Sequence, residues 1–365
     1  MSHTSALYAT RMLRAENHDL RLMDYTPLAA PAPWVGNRWS VREFYPAQWR
    51  WPRPAASQPL NVLVPSSQDR LRVKHVTNHT CSKDLPPTSI LWLDNNASMV
   101  SPPLLFVQMA QTLTIPELVL LGYELCGCFT RDARKPTHGP TTDMIPPATS
   151  VDEVLDYLYA LRGVPGATKA REALQYVSNF ALSPPEAVLA TMYSLPVAWS
   201  GYDMGPVALN QRVSVAQGDV TDNGKDRYPD LMFPFAPIGI NYDGNDHLRL
   251  GDIVQATHAV DTSSGAELEN AKLQLQEATQ GVRAKYVDDL RRNRELMSRG
   301  CAVLPLIKED LYDSNNLDTA TRQILQSAQS FFGVDVQDYL NILDDPSLKR
   351  QRSKLLRSLL HPQAT

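Results

Sequence analysis

Arg227-Tyr-Pro-Asp-Leu-Met-Phe-Pro-Phe-Ala-Pro-Ile-Gly-Ile-Asn-Tyr-Asp-Gly244 carries the acidic pair around which the rest of the chain is best interpreted. The stretch predicts two short strands joined by a tight turn centred between Phe235 and Ala236. In such a hairpin Asp230 lies opposite Asn241. The two-residue period of a strand puts Asn241 and Asp243 on one face. Three oxygen-bearing side chains therefore converge.

Oxygen ligands of this kind suit Mg²⁺ or Mn²⁺, which bind proteins through one or two carboxylates together with water and substrate phosphate. A phosphodiesterase would use such a metal to activate water and to neutralise charge on the phosphate. Asp230 and Asp243 are the expected metal ligands, and Glu186 is a further candidate acid. Asp243 and Glu186 have structural alternatives, because Asp next to Gly is an ordinary turn signal and Ser183 with Glu186 fits a helix capping box.

Composition and charge set broad limits on the function. The chain has 365 residues, of which 43% are apolar, and this length favours two or three domains. The net charge of −4 gives no global attraction to nucleic acid, so any such binding needs local basic clusters. Four scattered cysteines match neither a disulfide framework nor a zinc site, and we interpret Cys126 and Cys128 as buried thiols of a cytoplasmic protein. No continuous apolar run follows Arg11 and Arg14, and the most apolar segment, 115–129, is too short to cross a membrane, so we expect an unexported protein without a membrane span.

Proline and charge patterns divide the chain into five predicted segments. They are a Pro- and Trp-rich arm (1–57), a small α+β domain (58–130), a linker with basic residues (131–150), an α/β domain (151–312) and a helical extension (313–365). The tryptophans and arginines of the arm suit either anchoring to a domain surface or base stacking. The last basic helix suits either docking by its leucines or binding of a partner or nucleic acid.

Local patterns predict the main elements. Strands are expected at residues 60–65, 71–79, 212–216 and 301–307, and Pro305 favours an edge position or a bulge for the last. Helices are expected to follow Ser101-Pro-Pro103, to occupy 116–126, to occur twice within 150–180, and to begin at Ser183. A long helix is predicted for 266–299, with an interruption at Gly281 and a stop at Gly300.

The order of these residues resembles the PD-(D/E)XK restriction-endonuclease-like superfamily, in particular its branch related to very-short-patch repair endonucleases. The matching pieces are Pro229-Asp230, Asn241-Tyr-Asp243-Gly244 with His247, Asp288-Asp-Leu-Arg-Arg-Asn293, and the strand to Ile307. The resemblance covers about a third of the chain. It implies an α/β (α+β) fold, in which a mixed sheet flanked by helices forms the C-terminal core beside a smaller N-terminal α+β domain. It also implies phosphate or DNA contacts by Arg291, Arg292 and His247.

Residues 60–126 resemble the N-terminal part of abortive-infection, type IV antitoxin-like proteins, which often carry the same nuclease-like domain downstream. The pieces are Val62-Leu-Val-Pro65, the strand ending at His79, and the helix after Ser101-Pro-Pro103. This likeness implies a defence or toxin–antitoxin setting, with DNA as the expected partner and a protein partner also compatible. It supplies no chemistry.

One departure from the superfamily pattern divides the functional expectations. The central glutamate of the pattern falls on Asn241, and no lysine follows at the second position after it. Asparagine can ligate through its amide oxygen but brings no charge and accepts no proton. One hypothesis is a Mg²⁺- or Mn²⁺-dependent DNA endonuclease using Asp230, Asp243 and Glu186. The other is a catalytically degenerate nuclease fold without a cofactor, acting as an antitoxin-like regulator or binding module. His247 has the alternative of being an ordinary loop histidine. Asp289 and Arg292, three residues apart on a helix, have the alternative of forming a surface ion pair.

Overall fold

The computed structural model describes residues 1–29, 54–94, 97–210, 229–243 and 250–362. The chain divides into two units, Met1–Pro206 with Gln351–Thr365, and Val207–Arg350. Each unit mixes helices with small sheets, which agrees with the expected α+β class. The expected linker at 131–150 lies inside the first unit, and the expected domain at 151–312 is divided between Pro206 and Val207.

The first unit is a helical core that carries two small strand pairs. β1 and β2 are parallel, and β3 and β4 are antiparallel. The core helix α3 is almost wholly buried, since ten of its eleven residues are inaccessible. The elements are α1 (His3–Ala15), β1 (Leu60–Val64), β2 (Val76–Thr80), β3 (Ile90–Asp94), β4 (Ala97–Val100), α2 (Pro102–Met109), α3 (Ile115–Leu125), α4 (Val151–Ala160), α5 (Ala167–Leu174) and α6 (Pro184–Ser194).

The strand predicted for residues 71–79 begins later than its alternating pattern suggested. Extended pairing starts only at Val76, because His75 adopts a left-handed backbone with φ of 64°. The Asn78 side chain also bonds the amide and the carbonyl of Leu71, at 2.8 and 2.9 Å. These two bonds hold residue 71 in a loop beside the strand, so the first half of the alternating pattern is not a strand.

A buried ion cluster joins α1 to α3. Arg11 donates to both carboxylate oxygens of Glu124, at 2.9 and 2.8 Å, and the backbone amide of Arg131 donates to the same carboxylate at 3.1 Å. Burial by itself raises the pKa of Glu124, but the Arg11 guanidinium and its hydrogen bonds outweigh that effect and lower the pKa to about 2. Arg14 donates to the carbonyls of Glu124 and Gly127, which lie at the C-terminal end of α3. This cluster locks the N-terminal helix onto the core.

The second unit is built on a four-stranded sheet of order β5-β6-β7-β8. β6 is antiparallel to both β5 and β7. β8 follows a helical crossover and lies parallel to β7. The predicted strand at 212–216 lies outside the described residues. The elements are β5 (Ala208–Leu209), β6 (Leu231–Met232), β7 (Ile238–Asp243), α7 (Leu250–Thr262), α8 (Ala266–Ser298), β8 (Ala302–Ile307), α9 (Lys308–Tyr312), α10 (Ser314–Phe332) and α11 (Gln337–Asp344), followed by α12 (Pro346–Leu360), which spans the division between the units.

The β6–β7 hairpin has the predicted register. Leu231 pairs with Ile240 and Met232 with Gly239, which centres the turn between Phe235 and Ala236. Gly239 is required by close packing, because a Cβ there would lie 2.5 Å from the Leu231 carbonyl oxygen. The sequence therefore predicted the relative placement of Asp230 and Asn241 correctly.

β8 and α12 also follow their sequence patterns. β8 is an edge strand, as Pro305 predicted. On α12 three of the five leucines are buried, and the basic side chains are exposed apart from Arg352, which is 1% exposed. The docked-helix interpretation of the C-terminal segment is thus confirmed by burial, and its exposed cations are Lys349, Arg350, Lys354 and Arg357.

α8 runs for 33 residues without a break at Gly281, so the predicted interruption is wrong. Glycine weakens a helix by conformational entropy but does not by itself break one. The predicted stop at Gly300 is correct. Gly300 has φ of 79°, its amide donates to Met297, and the amide of Cys301 donates to Leu296. These two bonds form a Schellman motif.

The two glycines of this region give opposite expectations for alanine substitution. Gly281→Ala is expected to raise the free energy of unfolding by about 0.5–1 kcal/mol, because a Cβ there meets nothing within 4 Å and the helical backbone suits alanine. Gly300→Ala is expected to lower it by about 1 kcal/mol, because its backbone is left-handed. Denaturant unfolding of the two single variants measures both signs. Equal effects of the two substitutions would contradict the helix-end assignment.

None of the helices within the described ranges is long and apolar enough to cross a membrane. All four cysteines are free, with Cys126 buried and Cys128 half-buried. Burial raises the pKa of the Cys126 thiol to about 12, so it stays protonated at neutral pH.

Candidate functional site

The candidate site lies where β6 begins and β7 ends. Asp230 immediately precedes β6. Its partner across the hairpin is Asn241, which is only 6% exposed. Asp243 ends β7 two residues later and is half-buried. The strand period places Asn241 and Asp243 on the same face. The hairpin thus carries three of the four predicted catalytic residues, Asp230, Asn241 and Asp243.

Both carboxylate oxygens of Asp230 accept hydrogen bonds from the protein itself. Oδ2 accepts from the backbone amide of Tyr242 at 2.7 Å, and Oδ1 accepts from Nη2 of Arg292 at 2.9 Å. The Asp230 and Arg292 side chains are 15% and 18% exposed. This ion pair therefore lies between a surface pair and a buried one, and it ties β6 to α8.

Asn241 is held on both ends of its amide. Its Oδ1 accepts from the backbone amide of Asp230 at 3.2 Å, and its Nδ2 donates to Oδ1 of Asn293 at 2.9 Å. An ionised glutamate at this position would have no proton to donate, so Asn293 would have to turn its amide and act as the donor. The asparagine fits the network with Asn293 as the acceptor.

Arg292 and Asn293 are the site residues whose roles the sequence did not reveal. Arg292 was expected to contact phosphate or to pair with Asp289 on the helix surface. In the structure its guanidinium donates to Asp230, a residue 62 positions away in sequence. Asn293 belongs to the same motif as Arg292, and the motif was the only signal for it. Arg291, which precedes Arg292 on α8, is exposed.

Glu186 belongs to the first unit and serves as part of a helix cap. Its Oε1 accepts from the Ser183 hydroxyl at 2.8 Å, and its Oε2 accepts from the amide of Leu182 at 3.0 Å. The Ser183 hydroxyl in turn accepts from the Glu186 amide. This is the structural alternative that the Ser183-Pro-Pro-Glu186 spacing predicted, with the carboxylate reaching one residue further upstream than in a standard capping box. His247 lies outside the described residues.

Two members of the expected donor set already have protein partners. Mg²⁺ and Mn²⁺ are held mainly by negatively charged carboxylates, whereas Asp230 pairs with Arg292 and Asn241 is a neutral amide bonded to Asn293. Within the described part of the chain, no group of three or more His, Cys, Asp or Glu side chains is placed to hold a metal ion. The bonds that the described residues do form make a network that joins β6, β7 and α8.

Comparisons with known proteins add no relative. No protein-family model matches the chain, and neither the curated proteins nor the solved structures contain a significant match. The class of protein that the fold supports is therefore a two-unit α+β protein whose second unit carries a mixed sheet.

Proposed function

We propose that this chain is a DNA-associated binding protein whose second unit has a nuclease-like fold with a structural, non-cleaving site. In the setting implied by the antitoxin-like resemblance, it would act as a regulator. The observation that carries the proposal is the network of Asp230, Asn241, Arg292 and Asn293, in which both carboxylate oxygens of Asp230 and both ends of the Asn241 amide have a protein partner.

The topology of the second unit supports the nuclease-like part of the proposal. The resemblance implies a mixed sheet flanked by helices, and β5 to β8 form a sheet of three antiparallel strands with a fourth parallel strand after a helical crossover. The motif residues also occupy matching places. Asp230 precedes one strand, Asn241 and Asp243 lie on the next, and Arg292 lies on the helix that leads to the last.

The DNA-binding part rests on exposed arginines of α8. Arg291 is exposed and is free of the network that occupies Arg292. Arg294, three residues further along the helix, is exposed as well. Guanidinium groups on a helix surface contact phosphate oxygens well, and such contacts add affinity without sequence specificity. We therefore assign the phosphate contact to Arg291 and a positioning role to Arg292.

DNA binding by the full chain tests this proposal through fluorescence anisotropy with a labelled duplex. Binding is expected to be the same with EDTA as with MnCl₂, and the duplex is expected to remain intact. Arg291→Gln is expected to weaken binding severalfold and to reduce the slope of log affinity against log salt by about 1. Lys272→Gln is the matched control, because Lys272 is exposed on the same helix and pairs with Glu269. A duplex that does not bind, or an equal loss from both variants, would refute the DNA assignment.

The second candidate function is the metal-dependent endonuclease, favoured by the convergence of Asp230 and Asp243 at one end of the hairpin. Incubation of duplex DNA with Mg²⁺ or Mn²⁺ distinguishes the two. Cleavage that disappears in Asp230→Asn would establish the enzyme and overturn the structural assignment. Cleavage that appears only in Asn241→Glu would favour the degenerate site, because that substitution restores the acid of the superfamily pattern.

A further inference from the structure

The first unit contains an open cleft of about 630 Å³, and none of its lining residues belongs to the candidate site described above. This volume is typical of ligand sites in proteins. The cleft is formed by the segment after α1, by the loop before β3, by the N-terminal part of α2, and by one side of α4 along its length. Its lining includes Asp19, Arg21, Leu22, Tyr25, Glu153, Asp156 and the prolines 86, 102 and 103.

The lining of the cleft is acidic. It contains three carboxylates, from Asp19, Glu153 and Asp156, and a single guanidinium, from Arg21, which gives a net charge of about −2. Arg21 is already paired with Glu153 at 2.8 Å, and Asp19 accepts from the Arg21 amide. Asp156 is exposed, and no cation in the described ranges pairs with it. The cleft therefore attracts a positive charge, and the carboxylate of Asp156 is accessible to pair with it.

Most of the remaining lining residues are apolar, and they suit an extended proline-containing chain. Leu22 is 83% exposed and Tyr25 49% exposed, and both lie at this cleft, as do three prolines. Grooves lined by aromatic rings commonly bind segments in the polyproline II conformation, because such segments are extended before they bind and lose little entropy. A tyrosine ring also attracts guanidinium and ammonium groups through its face.

We propose that this cleft binds a peptide segment of a partner protein that is rich in proline and carries an arginine. The proline rings pack against Leu22 and Tyr25, and the arginine pairs with Asp156. A basic peptide is favoured over a nucleic acid because the lining repels phosphate. This proposal is independent of the DNA-binding proposal, since every residue it uses belongs to the first unit.

Isothermal titration calorimetry of the full chain tests the proposal with the capped peptide Pro-Pro-Arg-Pro-Pro-Arg-Pro. Saturable binding is expected at low salt, and it weakens as salt is raised. Asp156→Asn is expected to weaken binding by about threefold to fivefold, the effect of losing one exposed ion pair. Tyr25→Leu is expected to weaken it as well. Asp152→Asn is the matched control, because Asp152 is exposed on the same helix but does not line the cleft.

Several outcomes would overturn the proposal. One is the absence of binding by the arginine peptide. Another is equal affinity for a peptide in which glutamine replaces each arginine, since the acidic lining would then have no role. A third is an equal loss of affinity in Asp152→Asn, which would indicate general charge attraction rather than this cleft. Circular dichroism of each variant confirms that the chain remains folded.

Discussion

Glu124→Gln is expected to lower the free energy of unfolding of the first unit by about 3–5 kcal/mol, the usual cost of removing one partner from a buried ion pair. Glu124 is 2% exposed, and its carboxylate meets Arg11 through two hydrogen bonds. Glutamine keeps the shape but removes the charge, which leaves the guanidinium of Arg11 buried without a counter-ion. Arg131, 7% exposed, loses its charged neighbour as well.

Denaturant unfolding followed by circular dichroism measures this effect, with Glu172→Gln as control. Glu172 is an exposed acid on a neighbouring helix of the same unit, so its substitution is expected to change stability by less than about 0.5 kcal/mol. The double variant Arg11→Met with Glu124→Gln is expected to be less destabilised than the sum of the single variants, because the unpaired guanidinium is then absent. Strictly additive effects would show that the ion pair is not the source of the loss.

The same carboxylate predicts how stability depends on pH. The pKa of Glu124 is lowered from its ordinary value of 4.5 to about 2, so the unfolded chain binds a proton at a higher pH than the folded chain does. Its contribution is therefore fully present above about pH 4.5 and is lost as the pH falls toward 2. In Glu124→Gln this part of the acid dependence is expected to disappear.

A second pH effect lies in a different window. Burial and the neighbouring His79 lower the pKa of His3 from 6.5 to about 4. The unfolded chain therefore takes up a proton first, and stability falls as the pH drops from about 6.5 toward 4. The Glu124→Gln variant should keep this loss, which separates the two contributions.

Local features of the fold were predictable where neighbouring residues determine them. The turn between Phe235 and Ala236 fixes the hairpin register, because the strand period is strictly two. Gly300 ends α8 because its backbone conformation excludes most other residues. Pro305 favours an edge position or a bulge because it lacks an amide proton, and β8 lies at the edge of the described sheet. In each case a single covalent property limits the structure.

Features that depend on distant contacts could not be predicted. Glu124 interrupts an apolar helix, which indicates that it has a partner, but nothing in the sequence identifies Arg11 at a separation of 113 residues. The ion pair of Arg292 with Asp230 has the same character. The first unit also combines two distant stretches of sequence, Met1–Pro206 and Gln351–Thr365. Such contacts follow from tertiary packing rather than from local pattern.

Asp230→Asn is expected to lower the free energy of unfolding of the second unit by about 2 kcal/mol. The ion pair with Arg292 is mostly but not completely buried, so its loss should cost more than a surface pair and less than a fully buried one. The variant also weakens the acceptor for the Tyr242 amide. Unfolding of the variant, of Arg292→Gln and of the double variant measures the coupling between the two residues.

The sign of this change in stability distinguishes the two candidate functions of the site, a structural network and a catalytic metal site. Carboxylates kept for catalysis usually destabilise the fold that carries them, because like charges are held close together, so removing one leaves stability unchanged or raises it. A carboxylate kept for structure does the opposite. A loss of about 2 kcal/mol with clear coupling to Arg292 is therefore the result expected for a non-cleaving site. Asp261→Asn, an exposed acid on α7, controls for the change in charge.

Mn²⁺ provides an independent check on the same residue. A bound ion stabilises the folded state in proportion to the logarithm of its concentration over its dissociation constant. Because Asp230 is neutralised by Arg292, millimolar Mn²⁺ is expected to leave the unfolding midpoint of the second unit unchanged. A midpoint that rises with Mn²⁺ in the native chain but not in Asp230→Asn would show that the ion displaces Arg292 from the carboxylate. The network would then be a resting arrangement of a metal site, and the endonuclease would become the better assignment.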